Sequence, residues 1–104
     1  MLSLEVQIER VVDDHFPMWV GCVLTDADGI LHEFVEKEPV IRTGEQMSGS
    51  HYPHLGHIRC VIEEEWVDEL GRSLVRVSTE KPWSIESVAG ETKFTVFKEQ
   101  IFSG

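Results

Sequence analysis

Hydrophobic and polar residues alternate with a period of two along much of the chain, which is the pattern of β-strands with one buried face. Residues 2–9 (LSLEVQIE) show it most clearly, because every leucine, valine and isoleucine falls on the same set of alternate positions. Residues 18–25 (MWVGCVLT) are apolar almost throughout, as is typical of a strand at the centre of a sheet. No window of the sequence has the 3.6-residue period of a convincing amphipathic helix.

Turns that contain glycine divide the rest of the chain into further strands. Residues 26–29 (DADG) and 68–71 (DELG) each end in a glycine, which supplies the positive φ of a tight turn. Each turn therefore predicts a hairpin between the strands on either side of it. The predicted strands are residues 2–9, 18–25, 30–36, 57–66, 72–79, 83–88 and 93–102.

Three places in this pattern are expected to be irregular. Pro39 ends the third strand because proline cannot donate a hydrogen bond to a neighbouring strand, with residues 40–41 as a short extension. Residues 43–56 are rich in glycine and poor in large apolar groups, which predicts a long irregular loop. Alternation would point Glu64 into the interior, so we expect a β-bulge or the end of the strand near residues 63–65.

Six or seven strands joined by consecutive hairpins predict an all-β fold, either a small antiparallel barrel or a compact sandwich. The chain has 104 residues, which predicts a single domain over residues 1–104. The three tryptophans and five phenylalanines are expected to supply much of its core, because each aromatic side chain buries a large area.

Acidic residues outnumber basic residues by nineteen to nine, which gives a formal net charge of −10. The excess is concentrated in residues 1–36, with eight acids and one arginine, and in residues 63–71, with five acids and no base. Such a charge repels a phosphate backbone and argues against nucleic-acid binding. The same charge accelerates the encounter with a basic protein.

Cys22 and Cys60 lie singly in apolar segments, which favours buried free thiols and a cytoplasmic location. The longest uncharged apolar run, residues 16–25, is shorter than the ~20 residues that a membrane-spanning helix needs. No basic segment precedes an apolar stretch, so we expect neither a secretory signal nor a membrane segment. The oligomeric state stays open between a monomer and a homodimer joined through exposed strand edges.

Three of the five histidines lie within residues 51–57, and imidazole is a common ligand of zinc, copper and nickel. Pro53 and Gly56 interrupt this segment and prevent three rings from projecting from one regular face, so we expect no bound metal and no cofactor. The segment nevertheless supports an alternative function, a small-ligand or metal-binding β-barrel, with enzymatic activity as one possibility. Its candidate ligand-binding residues are His51, Tyr52, His54, His57 and Trp83.

Catalytic chemistry has little support in the sequence. Glu80 and Glu86 would act as an acid–base pair only if the fold fixed their separation. Cys22 or Cys60 would need a nearby positive charge to become a nucleophile, and their surroundings are acidic. Glycine-rich phosphate loops, serine-nucleophile motifs and metalloprotease motifs are missing from the chain. These observations favour a non-catalytic protein.

The acidic surface is therefore the leading candidate site. We expect it to engage a basic protein partner, as an inhibitor, an immunity protein or an accessory subunit would, with the tryptophans as apolar anchors. A concentrated patch requires that the acidic strand ends gather on one side of the fold. The candidate partner-binding residues are Asp13, Asp14, Trp19, Asp26, Asp28, Glu63, Glu64, Glu65 and Trp66.

Overall fold

Antiparallel pairing joins the strands of this protein into one sheet that curls into a half-barrel. The structure, a computed structural model, describes residues 2–41 and 54–103. The all-β antiparallel architecture is the one that the alternation predicts. Within the described residues the elements are β1 (Leu2–Asp13), β2 (Trp19–Thr25), β3 (Leu31–Lys37), α1 (Glu38–Ile41), β4 (His54–Val67), β5 (Ser73–Ser78), β6 (Lys93–Phe97), a 3-10 turn (Lys98–Gln100) and β7 (Ile101–Ser103).

The spatial order of the strands is β3-β2-β1-β4-β5-β6, and β7 returns to pair with the start of β1. β4 is long enough to pair with strands in both halves of the sheet, because residues 54–60 pair with β1 and residues 61–67, except Glu63, pair with β5. The register of the second pairing shifts between Ile62 and Glu64. This irregularity leaves Glu64 exposed and confirms the bulge expected near residues 63–65.

The core lies against the concave face of the sheet and is mainly aliphatic. Phe34 and Phe94 are the buried aromatic residues among those described, and their rings meet edge to face with centroids 5.6 Å apart. The expectation that the tryptophans supply much of the core is wrong, because Trp19 and Trp66 are half-buried and Trp83 is exposed. The core residues are Leu4, Val6, Ile8, Val20, Cys22, Leu24, Phe34, Ile41, Ile58, Cys60, Val75, Val77, Ile85, Phe94 and Val96.

Two turns with the same hydrogen bonds form the two predicted hairpins. In the first, the Asp26 carboxylate accepts the backbone N–H groups of Asp28 and Ile30, each at 2.9 Å. In the second, Asp68 accepts the N–H groups two and four residues later, at 3.0 and 2.9 Å. The glycine three residues after each aspartate has a φ near +80°, which a residue with a side chain rarely adopts. Each aspartate therefore holds its turn closed.

Three segments differ from the prediction. Residues 38–41 form one helical turn rather than an extension of the strand, and Pro39 fits the first turn of a helix because its missing N–H has no partner there. Residues 98–100 form a 3-10 turn that divides the predicted last strand into β6 and β7. Residues 54–56 belong to β4, whereas the rest of the predicted 43–56 loop lies outside the described residues.

The strand predicted at residues 83–88 does not form. The backbone N–H of Ile85 donates to the carbonyl of Thr79 at 3.0 Å, and that of Val88 donates to the carbonyl of Glu33 at 2.7 Å. These hydrogen bonds replace a strand ladder and bring Ile85 into the core. The segment between β5 and β6 is therefore an irregular strap whose backbone N–H groups bond partly within the segment and partly to β3.

The two cysteines are free and buried, as the sequence predicts. Cys22 pairs with Ile8 across one edge of β1, whereas Cys60 pairs with Leu2 across the other edge. The six-residue offset along β1 corresponds to about 20 Å, far beyond the reach of a disulfide. Among the described residues no helix has the length and hydrophobicity to span a membrane.

Candidate functional site

The histidine segment does not form a single site in the described part of the chain. His54 pairs with Ile8 of β1 and His57 pairs with Glu5. Because the two histidines are three positions apart on one strand, their side chains point to opposite faces of the sheet. The ring of His57 stacks on Phe102 at 4.9 Å on the outer face. The predicted ligand residues His51 and Tyr52 lie outside the described residues.

Trp83, the fifth candidate ligand residue, lies on the strap between β5 and β6. β5 ends at Ser78, which pairs with Val61 of β4, seven residues from His54 along that strand. The hydrogen bond from the Ser84 N–H to the Glu80 carbonyl, at 2.7 Å, keeps Trp83 in a tight turn beside the end of β5. The fold thus places Trp83 and His54 in different regions, with Trp83 half exposed.

The acidic residues of β4 are compensated by lysines that come much later in the chain. Lys93 Nζ lies 3.5 Å from the Glu63 carboxylate, and Lys98 forms an ion pair with Glu65. Glu64 lies beside Arg76 in the strand register. Trp66 lies next to Leu74, which in turn lies beside Phe97, so these side chains cover the outer face of β5. This half of the predicted acidic surface carries little uncompensated charge.

Asp26 is bound within the fold by residues of its own hairpin. Its Oδ2 lies 2.7 Å from His32 Nε2, and both side chains are only about one-eighth exposed. Burial raises the pKa of Asp26, but hydrogen bonds from His32 and from the backbone N–H groups of Ile30 and Asp28 outweigh it, and the pKa falls below its ordinary value. Asp28, on the outside of the same turn, is exposed.

This environment gives a testable pH dependence for Asp26. A carboxyl group whose pKa is lower in the folded state stabilises the fold above pH 3.8, its ordinary value, and that contribution is lost as the pH falls through the folded pKa. Asp26→Asn is expected to reduce the free energy of unfolding at pH 6 by about 1 kcal/mol. The difference from the unchanged protein is expected to shrink by pH 3. Urea unfolding at several pH values measures both quantities.

Asp28→Asn, which changes an exposed carboxylate in the same turn, is the matched control and is expected to be nearly neutral at every pH. If the difference in free energy of unfolding between Asp26→Asn and the unchanged protein grows as the pH falls, the lowered pKa of Asp26 is contradicted.

The loop that joins β1 to β2 is the most distinctive exposed feature of the described chain. We call residues 11–16, VVDDHF, the hairpin tip. Phe16 at its end is 99 % exposed, and Val11 and Val12 are also solvent-accessible. An open groove of about 620 Å³ is lined by Val11, Val12, Asp13, Asp14 and His15. The hairpin tip thus combines an apolar floor, two carboxylates and an uncovered aromatic ring.

One carboxylate of the hairpin tip, that of Asp13, is held in place by His15. The His15 backbone N–H donates to Asp13 Oδ1 at 3.0 Å, and His15 Nδ1 lies 2.8 Å from the same oxygen. These hydrogen bonds, the backbone one foremost, lower the pKa of Asp13, so this carboxylate stays ionised. One ligand atom each from Asp13, Asp14 and His15 lies within 4.8 Å of the others, a spacing that is common in exposed acidic groups without a metal.

Trp19 borders the hairpin tip at the start of β2. It pairs with Asp13 of β1 on one side and with Lys37 of β3 on the other. Lys37 Nζ lies 5.7 Å from the centre of the Trp19 ring, within the range of a cation–π interaction. The structure therefore brings three predicted partner residues together, namely Asp13, Asp14 and Trp19.

The other predicted partner residues do not join them. The turn of Asp26 and Asp28 lies at the opposite end of β2 from Trp19, and its Ala27 N–H donates to the Thr95 carbonyl of β6 at 2.9 Å. β4 runs antiparallel to β1, so residues 63–66 lie towards the end of the molecule that is distant from the hairpin tip. The expected gathering of all acidic strand ends is not observed.

The thiols show no activation. Burial, followed by the negative charges of Glu36 and Glu33, raises the pKa of Cys22 to about 12. Burial raises the pKa of Cys60 to about 11. Both groups are therefore protonated at neutral pH and are poor nucleophiles.

Phe16 is the residue that sequence reasoning missed. Phe16 begins the longest uncharged apolar run, residues 16–25, but lies outside the strand predicted at residues 18–25, and it is not among the candidate residues predicted from the sequence. The available signal was its position between the polar segment Asp13–His15 and Pro17, because a residue that precedes proline at the end of a polar loop lies outside a ladder.

No protein-family model, no curated protein and no solved structure gives a significant match to this chain.

Proposed function

We propose that this protein is a non-catalytic binding protein that engages a basic protein partner through the hairpin tip. The observation that carries the proposal is the 99 % exposure of Phe16 beside the paired carboxylates of Asp13 and Asp14. Large aromatic residues contribute strongly to binding when an interface buries them. The adjacent carboxylates supply attraction and orientation.

The hairpin tip suits lysine or arginine side chains in particular. Each has an apolar stem that would pack on Val11 and Val12 and a positive end that would reach Asp13 or Asp14. The net charge of −10 adds long-range attraction for the same kind of partner. An inhibitor, an immunity protein or an accessory subunit would use such a surface. The buried free thiols fit a reducing compartment, so we place this function in the cytoplasm.

The experiment is affinity capture from native lysate at low and raised salt, followed by titration of the captured basic protein. Phe16→Ala is expected to weaken binding about 30-fold, equivalent to ~2 kcal/mol, because it removes the central aromatic contact. The double variant Asp13→Asn, Asp14→Asn is expected to slow association and to reduce the salt dependence.

Leu70→Ala is the matched control, because Leu70 is also strongly exposed but lies on the β4–β5 turn at the distant end of the molecule. It is expected to bind as the unchanged protein does. Recovery of no basic protein at low salt, or equal recovery by Phe16→Ala and the unchanged protein, would overturn the proposal.

A further inference from the structure

We propose that the open edge of β3 is a strand-addition site that accepts an extended, basic segment of the partner as an additional strand. This inference rests on the proposed function, because the basic charge of the partner is taken from it. It adds a contact through backbone hydrogen bonds next to the hairpin tip. β3 is the terminal strand of the sheet, and β2 is its one strand neighbour among the described elements. Exposed edges of this kind bind peptides through main-chain hydrogen bonds.

The register shows which backbone groups of β3 face outward. The hairpin is closed at one end by the Asp26 N–H to Ile30 carbonyl bond and at the other by the Glu38 N–H to Met18 carbonyl bond. Hydrogen-bonded and non-hydrogen-bonded pairs alternate between these two points in an antiparallel ladder. Even-numbered residues of β3 therefore bond to β2, and residues 31, 33, 35 and 37 direct their N–H and C=O groups away from the sheet.

The strap between β5 and β6 covers only part of this edge. The Val88 N–H donates to the Glu33 carbonyl at 2.7 Å, which confirms that residue 33 faces outward. In the part of the chain that the structure describes, no other backbone hydrogen bond from outside the hairpin reaches this edge. The N–H and C=O groups of Val35, together with the N–H of Lys37, are therefore available to an added strand.

Side chains along the edge favour a partner that is both apolar and basic. Leu31 and Val88 are about two-thirds exposed and flank the covered position. Glu86 and Glu91 are exposed carboxylates on the strap, whereas Glu33 of β3 already forms an ion pair with Arg10 at 3.3 Å. An extended segment that contains both β-branched and basic residues would match these apolar contacts and the carboxylates of the strap.

The net charge of −10 argues against a second copy of this chain as the occupant, because two copies repel each other at long range. The edge is also continuous with the proposed partner surface, because Lys37 pairs with Trp19 and Trp19 pairs with Asp13. Two strand spacings, about 10 Å, separate Asp13 from Lys37 across the sheet.

The first test measures amide hydrogen exchange in the free protein and after addition of a capped eight-residue peptide of alternating valine and lysine. The amide protons of Val35 and Lys37 are expected to exchange quickly in the free protein and to slow at least tenfold when the peptide is added. Slow exchange at Val35 in the free monomer would overturn the proposal. Slow exchange that depends on protein concentration, with a dimer seen by light scattering, would assign the edge to a second copy instead.

The second test separates strand addition from charge attraction. Two further peptides carry N-methyl groups on all the valine amides or on all the lysine amides, and they keep the same charge and side chains. Because alternate N–H groups of a strand face the same edge, one methylated peptide is expected to bind at least tenfold more weakly and the other to bind as the parent does. Equal binding by the two methylated peptides would overturn the proposal.

Val35→Pro removes the outward N–H and is expected to weaken peptide binding at least tenfold. Val35→Ala keeps this N–H and is the matched control. If Val35→Pro does not fold, the methylated peptides decide the question. The outcome is distinguishable from that of the proposed function, because Phe16→Ala leaves the β3 edge intact. If Phe16→Ala weakens binding of the captured partner while the two methylated peptides bind equally well, the proposed function of the hairpin tip stands and strand addition at the β3 edge is rejected.

Discussion

Phe34→Ala is expected to lower the free energy of unfolding by about 3–5 kcal/mol, the largest effect of any single substitution considered for this protein. Phe34 is fully buried on β3, and its ring contacts Phe94 of β6 edge to face. Its removal takes away the transfer free energy of the ring and leaves a cavity. The neighbouring strands cannot close that cavity without breaking their register.

Thermal and urea unfolding measure the effect of Phe34→Ala. A loss of this size corresponds to a decrease in melting temperature of about 12 °C or more in a domain of this length. Phe16→Ala removes the same number of atoms from a fully exposed position and is expected to leave the melting temperature nearly unchanged. Similar decreases in the two variants would show that Phe34 does not lie where the fold places it.

Gly56→Ala is expected to destabilise the protein by about 1–3 kcal/mol, although alanine adds a single methyl group. A Cβ atom at residue 56 would lie 2.8 Å from the backbone oxygen of Ile41 and 2.9 Å from Ile8 Cδ1. The first neighbour is backbone, so α1 would have to move away from β4. The glycine is thus what allows α1 to close against the barrel.

A double-mutant cycle tests this origin of the effect. Ile8→Val removes the Cδ1 atom that the new methyl would meet, so Gly56→Ala is expected to cost less in the Ile8→Val background, with a remainder from the Ile41 oxygen. Leu55→Ala, at the adjacent exposed position, is the control and is expected to be nearly neutral. A Gly56→Ala protein with the same free energy of unfolding as the unchanged protein would contradict the close approach of α1 to β4.

The sequence predicts the parts of the fold that depend on local pattern. Alternation identifies the buried face of β1, and the two aspartate–glycine turns identify both hairpins, because the carboxylate that closes each turn is only a few residues from the groups it binds. The bulge near Glu64 follows from the cost of burying a carboxylate. In each case the residues that determine the structure are neighbours in the chain.

The errors arise where a distant partner decides the structure. Residues 83–88 have the composition of a strand, but the Ile85 N–H bonds to the Thr79 carbonyl, and the segment meets β3 through the single Val88 N–H to Glu33 carbonyl bond among the described residues. The positions of the tryptophans depend on which face of each strand meets the core, and aromatic content alone does not determine that. Composition alone therefore predicted too aromatic a core.

In the candidate site, too, the sequence predicts contacts between chain neighbours and misses contacts between distant residues. Asp13, Asp14 and Trp19 come together because one hairpin holds them. The acidic segment of β4 is compensated by Lys93 and Lys98, which lie some thirty residues later and reach it only through the folding of β6. Net charge by segment therefore overestimated the acidic surface, because it ignores ion pairs between residues that are distant in the chain.

The pairing of β7 with the start of β1 has a practical consequence. Leu2 and Ser103 are direct neighbours in the sheet, whereas the hairpin tip lies eleven residues further along β1, about 36 Å away at the spacing of an extended strand. A tether at either terminus would therefore leave Phe16 facing away from a support. The same proximity makes a circular permutant feasible, with a short linker between residues 103 and 2 and new ends in the exposed β4–β5 turn.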